Sequence, residues 1–209
     1  MDKVITISGM IGTGKSSLAE LLAERLGSEA FYESVGDNPV LDKFYEDKES
    51  WAFHLQVHFL NERFKSIKKA LTHRDNVLDR SIYEDALFTK INYEMGNMDE
   101  VSYNLYLDLL DNMMQELEEL PKKSPDLMIY LYGSFDEVLR RINKRGRDFE
   151  NTEDNPELYE YFKTLHANYN DWARDYRHSD IVWVNIDQFD FVENEEDKEI
   201  VLKSITDLL

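Results

Sequence analysis

The stretch VITISGMIGTGKSS, Val4 to Ser17, decides the fold. Its first five residues are an apolar run of strand type. The next eight, Gly9-Met10-Ile11-Gly12-Thr13-Gly14-Lys15-Ser16, fit the pattern G-x-x-x-x-G-K-[S/T] in full, and helical periodicity follows from Lys15 onward. Glycines let a backbone curl until its N–H groups converge on phosphate oxygens, and a helix N-terminus adds partial positive charge. Lys15 supplies a full charge to the outer phosphates, and Ser16, with Ser17 beside it, a hydroxyl for a Mg²⁺ ion. A dinucleotide-binding loop is a poor match, because the third glycine of G-x-G-x-x-G is missing after Gly12 and Gly14. The loop therefore reads as a nucleotide triphosphate site and leaves the phosphate acceptor open.

Beyond the loop, apolar runs alternate with helical stretches. Residues 30–33 (AFYE), 76–79 (NVLD), 127–132 (LMIYLY) and 181–186 (IVWVNI) read as strands, most of them continuous rather than alternating, as in a parallel sheet covered on both faces. Helices are expected over the segment ending at Gly27, a plausible C-cap, and over Val101–Leu120 before Pro121. The acidic stretch Glu193–Glu199 reads as a solvated helix start. The pattern predicts an α/β sandwich in one domain, residues 1–209.

Bulk composition narrows the function. Twenty-four basic against 43 acidic residues give a net charge of −19, which disfavours nucleic acid and anionic membranes as partners. No cysteine is present, and no apolar run reaches the length of a membrane span, so a soluble cytoplasmic protein is expected. Against that acidity, RRINKRGR (Arg140–Arg147) is a basic cluster, explained either as a solvated helix end or as a phosphate-facing segment. The string INKRG lacks the aspartate of an N-K-x-D guanine motif. His54 and His58 lack the glutamate of H-E-x-x-H.

Further candidates sit at strand ends and on the following helices. Asp79 ends the NVLD strand and Arg80 follows it, where a Mg²⁺ carboxylate, direct or through water, and a phosphoryl-reaching guanidinium belong in a site of this kind. Alone, an ordinary strand-end Asp paired with Arg explains them equally well, and the loop tips the reading to function. Glu33, at the end of AFYE, is placed to accept the proton of an attacking hydroxyl; on position alone, a polar strand end explains it equally well. Gln56, Arg63 and Asp85 are polar groups among apolar ones, able to read the edge of a ring; for each alone, the polarity of a helix surface is the better explanation. The acceptor half carries Glu33, Asp37, Asp42, Glu46, Asp47 and Glu49, which suits a neutral acceptor better than the extra phosphate of a nucleoside monophosphate.

Taken together, the loop, Glu33, FYEDKESWAFHLQ, DRSIYED and KRGRDFE resemble the deoxynucleoside kinase family, in its deoxycytidine, deoxyguanosine and bacterial deoxyadenosine branch. The resemblance implies a three-layer P-loop kinase with a five-stranded parallel sheet and a basic lid over about residues 140–152. It implies transfer of the ATP γ-phosphate, with Mg²⁺, to the 5′-hydroxyl of a 2′-deoxynucleoside, deoxyadenosine first, in a homodimer subject to feedback by a deoxynucleoside triphosphate. Glu33 then falls as general base with Arg80 beside it, Tyr45 and Glu150 at the 3′-hydroxyl, Gln56, Arg63 and Asp85 at the base, and Arg141, Arg145 and Arg147 on the phosphates. Two departures stand out: Phe149 precedes Glu150 where many relatives carry an acid, and Thr89 holds the position of the expected stacking aromatic, with Phe88 one residue early. A nucleoside monophosphate kinase and a non-catalytic nucleotide-binding regulator are the rival readings.

Overall fold

The computed structural model describes residues 3–33, 38–70, 76–118 and 125–209. Asp37 and Pro121 lie outside the described residues. Five strands form one all-parallel sheet in the order β2-β3-β1-β4-β5: β1 Val4–Gly9, β2 Ala30–Phe31, β3 Asn76–Asp79, β4 Leu127–Tyr132 and β5 Asp180–Asn185. The continuous apolar runs behave as two-faced burial requires. Every residue of β1 and β3 is buried, and all of β4 except Tyr132. The edge strands differ: β5 leaves Trp183 exposed.

Strand β2 is shorter than its sequence predicts. Only Ala30 and Phe31 find partners on β3, at Val77 and Leu78. Beyond them β3 stops at Arg80, whose φ of 79° breaks the extended backbone, so the edge finds no further ladder. Tyr32 and Glu33 leave the sheet, and Glu33 swings over its C-terminal edge.

The helices are α1 Lys15–Leu26, α2 Leu41–Glu46, α3 Lys48–Ala70, α4 Ile82–Glu94, α5 Glu100–Glu118, α6 Phe135–Arg145, α7 Pro156–Asp175 and α8 Glu195–Thr206, with a single 3₁₀ turn at Asp148–Glu150. Gly27 caps α1 in the left-handed region, as expected. Asn194 accepts from the Glu196 and Asp197 N–H groups and starts α8 inside the acidic stretch. Apolar faces of α1, α7 and α8 share one core with Ile5, Ile7 and Ile129 of the sheet. Among the described residues no helix is long and apolar enough to cross a membrane.

This order fixes where a ligand can go. From β1 the chain crosses to β2 and β3 on one side, then returns to β4 on the other, so loops part at the carboxyl end of β1. The register sets Ile7 beside Asp79, which brings the glycine loop and the Asp79-Arg80-Ser81 turn to one edge.

Candidate active site

The loop after β1 is held open by backbone geometry. Gly12 and Gly14 have φ values of 85° and 93°, a region costly for residues with a Cβ. A Cβ at Gly12 would lie 2.6 Å from Ile142 Cγ1 of α6, so the loop also needs the missing atom for packing. Thr13 Oγ1 and Lys15 Nζ both donate to Met10 O, at 2.9 and 2.8 Å. Lys15 is buried, and its pKa is drawn down to about 8, first by burial and then by Arg80, against the pull of Asp79, Glu84 and Glu33. Ser16 Oγ donates to Asp79 Oδ2. Burial pushes the Asp79 carboxyl up against the opposing charge of Lys15, and Asp79 Oδ1 has no hydrogen-bond partner.

Beside the loop lies a cavity of about 360 Å³, walled by α2, α3, α4 and the turn after α6. Its lining brings together Lys15, Ser16, Glu33, Asp79 and Arg80 with Gln56, Asp85 and Phe88. Tyr45, Arg145, Arg147 and Glu150 close the side. Residues read from separate stretches of sequence thus meet in one chamber. Glu33 Oε1 receives Arg63 Nη2 at 2.8 Å. Arg80 Nε lies 2.9 Å from the same oxygen, an ion-pair contact without hydrogen-bond alignment. Burial alone would raise the Glu33 pKa, but Arg80, Arg63 and Lys15 outweigh it and bring it to about 2. Glu33 is therefore a carboxylate throughout the neutral range, able to accept a hydrogen bond from a hydroxyl and only weakly basic.

Arg63 does not line the cavity; it lies behind the wall, its side chain 4% exposed. Its guanidinium spans three partners: Asp85 Oδ2 at 3.3 Å, Asp79 O at 2.6 Å and Glu33. Burial, opposed by Arg63, lifts the Asp85 pKa to about 6. Among the lining aromatics, the Phe88 ring sits 4.7 Å from the Arg80 guanidinium carbon. Thr89 turns back into its helix and donates to Asp85 O at 2.9 Å, while the neighbouring Phe88 lines the cavity.

Arg145 and Arg147 both pair with the buried Glu150 carboxylate. Phe149 stacks on Tyr45 with ring centroids 5.1 Å apart, and burial followed by the Glu150 charge pushes the Tyr45 phenol up. Arg141 stands elsewhere. It binds Glu137 and donates to Ile186 O at 2.9 Å, lining a second, open groove with Asp187, Gln188 and Asp190, on the far side of Gly14.

Sequence reading missed two polar groups of this region, Glu84 and Tyr169. The spacing Ser81-x-x-Glu84 signals a capping box, which the structure contains. It gives no hint that Glu84 also reaches Gly9 N–H, 75 residues earlier. Nothing in the pattern of α7 marks Tyr169, which donates to Glu84 at 3.0 Å.

The description "Deoxynucleoside kinase" belongs to the family model that matches residues 5–209. The chain belongs to that family. It is 50% identical over 202 residues to the deoxyguanosine kinase of Lactobacillus johnsonii, covering 97% of this chain and 90% of that one. It is 44% identical over 209 residues to the deoxyadenosine kinase of Lactobacillus acidophilus, covering 100% of this chain and 97% of that one. Among solved structures, deoxyadenosine kinase from M. mycoides with dCMP and dCDP bound superposes with a TM-score of 0.81 at 29% identity, over 98% of this chain and 99% of that one. A deoxynucleoside kinase is a phosphotransferase, so the activity of the chain is phosphoryl transfer from a nucleotide donor to a deoxynucleoside.

Proposed function

We propose that the chain transfers the γ-phosphate of ATP to the 5′-hydroxyl of a purine 2′-deoxynucleoside, with deoxyguanosine ahead of deoxyadenosine and deoxycytidine third. The order departs from the sequence expectation, because identity is higher to a deoxyguanosine kinase than to a deoxyadenosine kinase. The observation that carries the reading is the single carboxylate of Glu33, clamped by two arginines and facing the lysine of the glycine loop across one cavity.

In this reading the triphosphate lies along the loop amides with Lys15 at its outer phosphates. Ser16 Oγ and the spare Asp79 Oδ1 suit a Mg²⁺ ion arriving with the triphosphate, Asp79 through water; when bound, the ion neutralises charge on the β- and γ-phosphates. Arg145 and Arg147 pass from Glu150 to the phosphoryl oxygens, and Glu150 with Tyr45 then holds the 3′-hydroxyl. Arg80 lies between Glu33 and the transferring group. With a pKa near 2, Glu33 orients the 5′-hydroxyl first and takes its proton late, as a loose transition state permits. Gln56 and Asp85 read the base edge, and Phe88 covers its face. The groove beside Arg141 takes the donor base. Family resemblance also carries a homodimer, which sedimentation velocity tests.

A panel of the four deoxynucleosides and their monophosphates, assayed with ATP and Mg²⁺, tests the acceptor. The two purine deoxynucleosides should lead; faster phosphorylation of the monophosphates would overturn the proposal. Glu33→Gln should lower kcat by about 10²-fold with ATP affinity unchanged, and full turnover in that variant would remove Glu33 from the chemistry.

A further inference from the structure

The Glu84 carboxylate is fully buried, and its two oxygens have different tasks. Oε2 serves the start of α4, accepting from Ser81 N–H at 2.8 Å and Ser81 Oγ at 3.2 Å. A capping box asks no more than this of its acid. Oε1 points the other way. It accepts from Gly9 N–H at 3.1 Å, from the Tyr169 phenol at 3.0 Å and from Arg80 Nη1 at 3.4 Å. The same Arg80 Nη1 also donates to the Tyr169 oxygen.

Those three donors come from distant parts of the chain and meet at one atom. Gly9 opens the phosphate loop. Tyr169 belongs to α7. Arg80 is, among the described residues, the only non-glycine with positive φ, at 79°. Such a conformation is strained and persists only where surroundings over-determine it. Arg80 is also pulled from its cavity side by Glu33. A second carboxylate behind it balances that pull.

We propose that Glu84 is a positioning residue for phosphoryl transfer: through Oε1 it ties the first glycine of the phosphate loop to Arg80, so that donor cradle and guanidinium keep a fixed distance. The inference rests on the site assignment above. Without Glu84, Arg80 keeps only Glu33 and the neutral Tyr169 phenol as hydrogen-bonding or charged partners, and the loop loses its anchor to α4.

Glu84→Gln separates the two tasks. A glutamine oxygen can still accept from Ser81 N–H, as in capping boxes generally, whereas its NH₂ would face the Gly9 and Arg80 N–H groups, donor against donor. Because misplacement by about 1 Å can cost on the order of 10²-fold in rate, kcat should fall at least about tenfold, with deoxynucleoside KM within about threefold. Ser81→Ala weakens the cap and spares Oε1, so it should lower Tm and leave kcat within about twofold. Two results would overturn the proposal: Glu84→Gln turning over at the unaltered rate, or Ser81→Ala losing as much kcat as Glu84→Gln. If Glu84→Gln does not fold, Tyr169→Phe decides, with kcat expected to fall about threefold or more and an unchanged kcat counting against the proposal. Arg80→Ala, run in parallel, isolates the underlying assignment: full activity there would refute the role of Arg80 itself.

Discussion

Raising the pH should loosen the grip of the enzyme on ATP, and the cause is Lys15. Its ammonium is buried and faces Arg80, so in the free protein it loses its proton near pH 8 instead of near its ordinary value. A bound triphosphate supplies negative charge within reach and restores the proton. The sign follows: above pH 8 the free enzyme has lost a proton that the complex retains, so binding must take one up and weakens as pH climbs. For a free pKa of about 8 and a bound value above about 10, Kd should rise about 25-fold between about pH 7.5 and about pH 9.5. The triphosphate itself works in the opposite sense, but a phosphate group ionises with a pKa of about 6 and is nearly complete before that window opens. Titration calorimetry with Mg²⁺ and ATP, without deoxynucleoside, measures the slope. Lys15→Arg is the control, since a guanidinium stays charged and should flatten the profile to within about twofold. A flat profile in the unaltered enzyme, or tighter binding at high pH, would refute the argument.

Asp85 should make base preference depend on pH. Above about pH 6 its carboxylate can accept from the N1–H and 2-amino donors of guanine together; below that it is protonated and loses this pairing, whereas the amino group and ring nitrogens of adenine can meet either form. The ratio of kcat/KM for deoxyguanosine to that for deoxyadenosine should therefore fall as pH falls from 7 to 5, and a constant ratio would detach Asp85 from the base. Phe149→Ala removes the ring stacked on Tyr45; a pair of this kind is worth about 0.5–1.5 kcal/mol, so deoxynucleoside KM should rise about 2- to 12-fold in steady-state kinetics, with ATP KM unchanged. Gly12→Ala places a Cβ against Ile142 in a left-handed backbone, a strain of about 1–2 kcal/mol before the clash is counted; thermal melts should show a lower Tm, and calorimetry a loss of ATP binding.

Much of this site could be read from the chain because its parts are local. The glycine loop works through backbone conformation, which short spacings of glycine specify, and the structure puts it where a strand and helix on either side require. Arg80, Asp85 and Glu150 likewise lie on motifs whose spacing is fixed within a helix or turn. What escaped was non-local. Glu84 carries no local sign beyond the spacing Ser81-x-x-Glu84, since its contact with Gly9 depends on β1 and β3 being neighbours. Tyr169 reaches the site only through the packing of α7. The end of β2 was overestimated for a similar reason: Tyr32 and Glu33 have strand-compatible side chains, but a strand needs a partner and β3 stops at Arg80. Arg63 was expected at the base, and no periodicity could say that its guanidinium would stand behind the wall.

That position of Arg63 has a consequence for anyone reshaping the enzyme. One rigid, planar fork touches both Asp85, proposed to read the base, and Glu33, proposed to meet the hydroxyl. On that proposal selectivity and speed share a component, and a redesign that alters Arg63 to admit another nucleobase should disturb turnover in the same stroke. Variation confined to Gln56 offers the freer route to new acceptors, since Phe88 packs against Arg80, itself paired with Glu33.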